Sequence, residues 1–147
     1  MKNFFTIIFI FFFIAACGYK PILVKNNNFS FNLLKASGDK QVSEKLEKSL
    51  KKLQDRNSNI NIEIINNYKK SVISKNEKGD PEIFLISIET ELIIKEGNDF
   101  KNKKIFNESL TYNNRSDKFK LKQYEKKLKS NLIDNVSYDI IIFLNSV

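Results

Sequence analysis

The single cysteine of the chain, Cys17, has the clearest capacity for covalent chemistry, because a thiolate is a nucleophile. It follows residues 14–16, Ile-Ala-Ala, which end an apolar run that begins at Phe4. The only charged residue before this run is Lys2. A short cationic start, an apolar stretch too short to span a bilayer and small residues before a cut site are typical of a secretory signal peptide. The sequence therefore predicts that residues 1–16 are a signal peptide.

Residues 14–17, Ile-Ala-Ala-Cys, resemble the lipobox of bacterial lipoproteins. In that family the cysteine receives a diacylglycerol and the peptide bond before it is cut, so the resemblance implies a lipidated N-terminus at Cys17 and attachment to a membrane. Gly18, rather than Asp, follows the cysteine, which in that family favours the outer membrane. The alternative is that Cys17 is an ordinary small apolar residue that ends the hydrophobic run. With one cysteine, an intramolecular disulfide is excluded.

Other catalytic groups are scarce. Histidine is absent, which excludes His-based triads, Cys–His pairs and nearly all zinc ligand sets. Ser37 and Lys40 lie close in sequence, but a helix cap beside a solvated lysine explains them. Glu89 and Glu91 share one face of a predicted strand, as on any solvent-facing strand. The four glycines are isolated from one another, so no phosphate-binding loop exists. We therefore expect no enzymatic activity, no metal site and no cofactor.

The charge of the chain admits two explanations. The formal net charge is +8 at pH 7, which is typical of proteins that bind polyanions. Lys, Asn and Ile, however, make up 62 of the 147 residues, and their codons are rich in A and T, so mutational bias alone also explains the charge. Because the signal peptide predicts export from the cytoplasm, we expect no nucleic-acid partner.

The spacing of apolar residues predicts the strands and helices that position the candidate functional residues. Four segments alternate apolar and polar residues, as half-buried strands do: residues 29–34, 60–73, 84–94 and 106–112. The alternation of the second segment slips at Ile65, which predicts a β-bulge. Turn residues in 75–81 and 95–103 predict two hairpin connections. The inner face of the third strand is predicted to carry Phe84, Ile86, Ile88, Thr90, Leu92 and Ile94.

Two amphipathic helices complete the pattern. Asp39, at the end of the turn 37–39, is a predicted N-cap for a helix over 40–54, in which apolar residues recur at spacings of three and four. Residues 116–117 are predicted to cap a second helix that runs close to the C-terminus. Its segment 140–144 carries apolar residues on most sides of the helix and is expected to be the part most deeply buried in the core.

The order strand, helix, three strands, helix predicts an α+β fold with two helices packed on one face of a four-stranded mixed sheet. The first and second strands would be parallel and joined by a crossover through the first helix. The last three strands would form an antiparallel meander. We predict one domain over residues 29–147, joined to Cys17 by a tether over 17–28.

Residues 17–23, Cys-Gly-Tyr-Lys-Pro-Ile-Leu, resemble the C-G-aromatic-basic-P-aliphatic start of the LptE family, the lipopolysaccharide-assembly lipoproteins of the outer membrane. The predicted order of elements is similar to that family over almost its full length. The resemblance implies a lipid-anchored protein on the periplasmic side of the outer membrane. Such a protein plugs the LptD β-barrel, supports its assembly and assists the insertion of lipopolysaccharide into the outer leaflet, without catalysis.

The resemblance also implies that lysine and arginine side chains contact the phosphates of lipopolysaccharide. The candidates are Lys69, Lys70, Arg115 and Lys118. Arg115, one of two arginines in the chain, follows the fourth strand and could bind a phosphate with two hydrogen bonds. For each candidate the alternative is a solvated cation on a basic surface. The alternative function is that of an outer-membrane lipoprotein acting as an adaptor or scaffold in another envelope complex.

Overall fold

The structure is a computed structural model that describes residues 29–146. The predicted signal peptide, the lipidation site Cys17 and the tether over 17–28 lie outside the described residues, so these three assignments stay predictions. Within residues 29–146, no helix is both long enough and apolar enough to cross a membrane.

The described elements are β1 (Asn32–Gly38), α1 (Lys40–Leu50), β2 (Ile60–Lys75), β3 (Pro81–Glu96), β4 (Asp99–Asn113) and α2 (Lys118–Ser146). The four strands form one sheet in the order β1-β2-β3-β4. β1 is parallel to β2, and β3 is antiparallel to both of its neighbours. The predicted α+β fold class is therefore confirmed, with its mixed sheet and its order of elements.

The core lies between the sheet and the two helices, and β3 supplies its centre. Ile86, Ile88 and Leu92 are at most 1% exposed, which confirms the predicted inner face of this strand. The buried residues opposite them come from both helices: Val42, Leu46 and Leu50 of α1, and Leu132, Ile133, Val136 and Ile140 of α2. Both helices therefore cover the same face of the sheet.

Both predicted helix caps are present. Asp39 accepts a hydrogen bond from the backbone N–H of Val42 at 3.0 Å, and Asp117 accepts one from Lys120 at 3.0 Å. The cap side chain satisfies a backbone donor that has no partner within the first turn of a helix. α1 ends at Leu50, four residues before the predicted end: residues 51–53 form a turn in which Leu53 N–H donates to the Leu50 carbonyl at 2.9 Å, and Asp55 N–H then donates to the Phe31 carbonyl at 2.8 Å.

β1 lies later in the sequence than predicted. It begins at Asn32 and includes Ser37 and Gly38, which the sequence assigned to a turn. Its register against β2 shifts between Leu33 and Lys35, so the alternation of apolar and polar residues that predicted a strand over 29–34 does not continue. Gly38 ends the strand at a φ of +115°, and a Cβ there would collide with the Asn66 carbonyl oxygen. Glycine is therefore required where β1 leaves β2.

The predicted β-bulge at Ile65 is wrong. β2 pairs with β3 in continuous register past this residue, and the irregularity lies between Val72 and Lys75. Ile65 is 47% exposed on the outer face, whereas Asn66 takes the buried inward position. The Asn66 side-chain amide donates to the Ser37 carbonyl at 2.7 Å and to Ser43 Oγ at 2.9 Å. A hydrogen-bonded polar residue therefore breaks the apolar pattern without breaking the strand.

Two further boundaries differ from the predictions. The connection expected over residues 95–103 is a turn at Gly97–Asn98, so β4 begins at Asp99. In α2, Ile140 and Leu144 are buried, but Ile142 between them is 47% exposed. The most buried stretch of α2 therefore extends back to Leu132, instead of being confined to residues 140–144.

The unequal lengths of the elements leave part of β2 uncovered. β1 pairs with β2 only as far as Asn66, and α1 begins beside that residue. A helix of 11 residues is about 16 Å long, whereas a strand of 16 residues is about 53 Å long. Beyond Asn66, neither β1 nor α1 covers β2 among the described residues. From Tyr68 onward, the helix-facing side of β2 is therefore not covered by α1, and α2 is the helix beside it.

Candidate functional site

The four sequence-predicted cations do not form one surface. Lys70 lies on the helix-facing side of β2 and contacts α2. Arg115 and Lys118 lie at the same end of the molecule, and Lys118 Nζ donates to the Arg115 carbonyl at 3.4 Å. Lys69, the neighbour of Lys70 in an extended strand, points to the opposite face of the sheet. The structure therefore brings three of the candidates to one end and separates Lys69 from them.

Lys70 is part of a network that joins β2, β4 and α2. Its Nζ is 2.6 Å from Glu125 Oε1, and the Tyr112 hydroxyl donates to the same oxygen at 2.7 Å. The ammonium group also lies 4.3 Å from the centre of the Phe84 ring. Burial raises the pKa of Glu125, but the hydrogen bonds from Lys70 and Tyr112 outweigh it and hold this pKa below its ordinary value. Lys70 is therefore engaged in holding α2 to the sheet.

Arg115 and Lys118 are free of carboxylate partners among residues 29–146. Both are exposed. The guanidinium carbon of Arg115 lies 4.1 Å from the centre of the Tyr124 ring, an arrangement that orients the side chain without neutralising its charge. Lys118 Nζ has one further partner, Asn114 Oδ1 at 3.3 Å. These two cations therefore remain available to an anionic ligand.

A further cation, Lys129, joins α2 to the start of α1. Its Nζ is 2.8 Å from Asp39 Oδ1, the atom that also caps α1, and 3.9 Å from the centre of the Tyr68 ring. Burial raises the pKa of Asp39, but the hydrogen bond from Lys129 and the cap hydrogen bonds outweigh it and hold this pKa below its ordinary value. The sequence predicted the cap but not its ion pair.

A groove lies between the first half of α2 and the uncovered part of β2, with the start of α1 at its side. We call it the α2 groove. It has a volume of about 530 Å³. Lys122 and Lys126 line it, are exposed, and have no ion pair among residues 29–146. The other residues of its wall are Gln41, Tyr68, Phe119, Gln123, Glu125 and Lys129.

Sequence reasoning missed Lys122 and Lys126, which read as the solvated face of an amphipathic helix. A signal was nevertheless present in the distribution of charge. Residues 115–129 contain seven lysine or arginine residues and two acidic residues, whereas residues 130–147 contain two acidic residues and no cation. A uniform codon bias would spread lysine along the helix. This concentration is therefore a property of the first half of α2 in particular.

The described part of the chain contains no group of three or more Asp, Glu, Cys or His residues that could hold a metal ion. Of the carboxylate pair on β3, Glu91 forms an ion pair with Lys103 at 2.9 Å on the outer face of the sheet. Ser37 Oγ lies 3.4 Å from the Ile64 carbonyl. Neither position joins a nucleophile to a base. The exposed cations without a carboxylate partner among residues 29–146, such as Arg115, Lys118, Lys122 and Lys126, are groups that can form charge-assisted hydrogen bonds with an anion.

No protein-family model and no curated protein sequence matches the chain. Solved structures do match. Rare lipoprotein B from Shewanella oneidensis is 15% identical with a TM-score of 0.57, over 78% of this chain and 95% of that one. A minor lipoprotein from Acinetobacter baumannii is 14% identical with a TM-score of 0.59, over 80% and 90%. Lipoprotein B from Nitrosomonas europaea is 12% identical with a TM-score of 0.55, over 77% and 80%. The chain therefore has the fold of these lipoproteins.

Proposed function

We propose that this chain is an LptE-like lipoprotein, anchored through Cys17 on the periplasmic side of the outer membrane. There it plugs an LptD-like β-barrel, supports the assembly of that barrel and assists the insertion of lipopolysaccharide into the outer leaflet. The observation that carries the proposal is the fold shared with solved lipoproteins, which extends over about four-fifths of the chain. The lipobox-like residues 14–17 and the LptE-like residues 17–23 precede this domain and supply the rest of the argument.

The direction in which the domain would extend from its lipid anchor supports this proposal. Phe29 precedes β1, whose first residue, Asn32, pairs with Asn61 at the start of β2. Lys70 lies nine residues further along β2, which corresponds to about 30 Å. An anchor on Cys17 would join the domain at Phe29. In the proposed arrangement, the end that carries Lys70 therefore projects away from the point of attachment.

The charge at that end supports a polyanionic ligand. We call it the basic end and define it by Lys70, Arg115, Lys118, Lys122 and Lys126. Lysine and arginine side chains form charge-assisted hydrogen bonds with phosphates, and lipopolysaccharide carries several. Of the four contacts expected from the sequence, we retain Arg115 and Lys118 as proposed contacts. Lys70 is held by Glu125 and Lys69 points to the other face of the sheet.

Affinity purification from detergent-solubilised outer membranes tests the proposed barrel partner. The bait is the full-length chain with a C-terminal tag, and the control is an unrelated lipidated bait with the same tag. We expect one large β-barrel protein at a one-to-one ratio, because a plug that withstands a water-filled lumen must have a large and stable interface. Absence of any barrel protein from the purified complex would overturn the plug and favour the adaptor or scaffold.

A further inference from the structure

Part of the edge of β2 has no neighbouring strand. β1 pairs with β2 only as far as Gly38 and Asn66, and β2 extends well beyond this pair. The Asn66 carbonyl points to the β1 side, because a Cβ on Gly38 would collide with its oxygen. Every second residue of a strand directs its backbone N–H and C=O groups to the same side, so Tyr68, Lys70 and Val72 do likewise. Within residues 29–146, these groups have no hydrogen-bond partner on that side.

The α2 groove lies beside this free edge. A strand placed next to Tyr68 and Lys70 would continue the line of β1, and every second side chain would point into the groove between β2 and α2. When a peptide adds to a sheet edge, main-chain hydrogen bonds supply affinity and pockets for alternate side chains supply specificity. β4 is the other edge strand of the sheet, but no residue of β4 lines the groove. The edge of β2 is therefore the one that offers both kinds of contact.

The charge around this edge indicates which strand it accepts. Lys69 on β2, and Lys122 and Lys126 in the groove, are exposed and have no ion pair among residues 29–146. A second copy of this chain would bring Lys69 and Lys70 close to the same residues of its partner, and like charges on paired strands destabilise the pairing. A strand with acidic residues at alternate positions would place carboxylates beside these cations. The charge therefore favours an acidic segment of another protein.

We propose that the free edge of β2, from Tyr68 to Val72, binds an acidic segment of another protein as an added strand. The backbone groups of Tyr68 and Lys70 form hydrogen bonds with the segment, and its groove-facing carboxylates contact Lys122 and Lys126. The register shift that follows Val72 ends the regular part of the edge, so a short segment is sufficient to fill it. This site binds protein, and it depends neither on the barrel nor on the lipopolysaccharide of the proposed function.

The test uses the peptide acetyl-Thr-Glu-Thr-Glu-Thr-Glu-Thr-amide and the full-length chain, purified in non-ionic detergent. Amide hydrogen exchange, resolved to single residues by NMR, reports on each backbone N–H group. Saturating peptide should slow exchange at Tyr68 and Lys70 about tenfold or more, because their N–H groups gain a hydrogen bond. Asn67 and Lys69 should exchange slowly even without peptide, because their N–H groups already bond to β3. Ile105, in the edge strand β4, should not respond to the peptide.

Methylation of the peptide backbone separates strand addition from simple attraction between charges. One analogue carries N-methyl groups on its Glu residues, and the other carries them on its Thr residues. Alternate residues of a strand direct their N–H groups to opposite edges. One analogue should therefore bind about tenfold more weakly than the parent peptide, and the other should bind like it. Both measurements use the wild-type protein, so they test the proposal even if a variant fails to fold.

Matched variants assign the binding to the edge and the groove. Val72→Pro removes a donor that faces the free edge, where proline is tolerated, and should weaken binding of the Glu peptide. Val72→Ala keeps the donor and should bind like the wild type. Lys122→Glu, Lys126→Glu should prefer a peptide with Lys in place of Glu, which reverses the preference of the wild type. Lys48→Glu, Lys52→Glu, at the other end of α1, should keep that preference.

Three results would overturn the proposal. Equal binding of the two methylated analogues would show that the peptide does not add as a strand. Equal binding of the Glu and Lys peptides to the wild type would remove the acidic partner. Slow exchange at Tyr68 and Lys70 without peptide would show that the edge is already occupied. The mass of the protein in solution would then identify the occupant, since a dimer indicates a second copy and a monomer indicates a segment of the same chain.

Discussion

At the scale of single residues, the lysines of this domain differ in whether the fold already uses their charge. Lys45, Lys70 and Lys129 each join α2 to another element through a carboxylate at 2.6–2.8 Å. Lys122 and Lys126 have no such partner among residues 29–146. A lysine that is already paired must give up its carboxylate before it binds a phosphate. The unpaired lysines are therefore the better candidates for ligand contacts, a distinction that residue type and sequence position do not reveal.

The two paired carboxylates, Asp39 and Glu125, predict how stability depends on pH. Both have a folded-state pKa below the ordinary values of 3.8 and 4.5, so their contribution is complete above those values and is lost as the pH falls through the lower folded values. We expect the melting temperature to fall as the pH is lowered from about 4.5, which thermal unfolding followed by circular dichroism measures.

Substitutions assign this acid dependence to the two residues. The Asp39→Asn, Glu125→Gln variant should melt lower at neutral pH and show a flatter acid limb, because asparagine still caps the helix but carries no charge to lose. The control, Glu77→Gln, Glu89→Gln, changes two exposed carboxylates and should reproduce the wild-type curve. An acid limb of unchanged steepness in the first variant would contradict the assignment.

The proposed lipidation of Cys17 can be tested by a single substitution. Replacing it with serine removes the thiol that the lipobox-like motif presents, so we expect the Cys17→Ser variant to keep its signal peptide and to carry no lipid. Intact mass measurement of wild type and variant, together with membrane fractionation, checks both effects. An unmodified cysteine in the mature wild-type protein would refute lipidation. So would a serine variant that is cut before residue 17 and still fractionates with membranes through its N-terminus.

At the scale of elements, prediction succeeded where one physical rule determined the local structure. β3 is buried on one face along most of its length, so its alternation was unambiguous, and Asp39 and Asp117 each precede a helix that needs a cap. Prediction failed where a tertiary contact overrode the local pattern. The hydrogen bonds of Asn66 to Ser37 and Ser43 keep β2 in register through a polar residue, and no local rule indicates those partners.

The confirmed inner face of β3 supports a prediction about stability. Ile88 is 1% exposed and packs in the core, so Ile88→Asp would place a carboxylate there without a partner. We expect the free energy of unfolding to fall by about 3–5 kcal/mol, a large part of the 5–15 kcal/mol of an ordinary domain. Chemical denaturation measures this loss. Ile73→Asp, at a residue that is 53% exposed, is the control and should change stability little. Equal effects of the two substitutions would contradict the assigned core face.

At the scale of the whole molecule, the α2 groove could not be predicted because its walls come from three separate elements. Gln41 begins α1, Tyr68 lies in the middle of β2 and Phe119 begins α2. They meet only because α1 is much shorter than β2 and because α2 lies over β3 and β4, which leaves a gap above Tyr68. Length mismatch between packed elements is a property of the assembled fold. The sequence predicts the elements that carry the wall residues, but the groove itself results from how those elements pack.

The basic end and the proposed point of attachment lie at opposite ends of the molecule, which leads to a last prediction. Binding of lipopolysaccharide and binding of the barrel should respond differently to changes of charge and salt. Arg115 and Lys118 are exposed, and exposed charges are screened within about 8 Å at physiological ionic strength. Arg115→Glu, Lys118→Glu should therefore reduce lipopolysaccharide binding, and added salt should reduce the binding of the wild type. The barrel complex should withstand both changes, because the proposed plug is held by an extensive interface. Pull-down and lipopolysaccharide binding, measured on the same preparations over a salt series, test this separation. Unchanged lipopolysaccharide binding in the variant would remove these two residues from the site, and a barrel complex that dissociates with salt would contradict the plug.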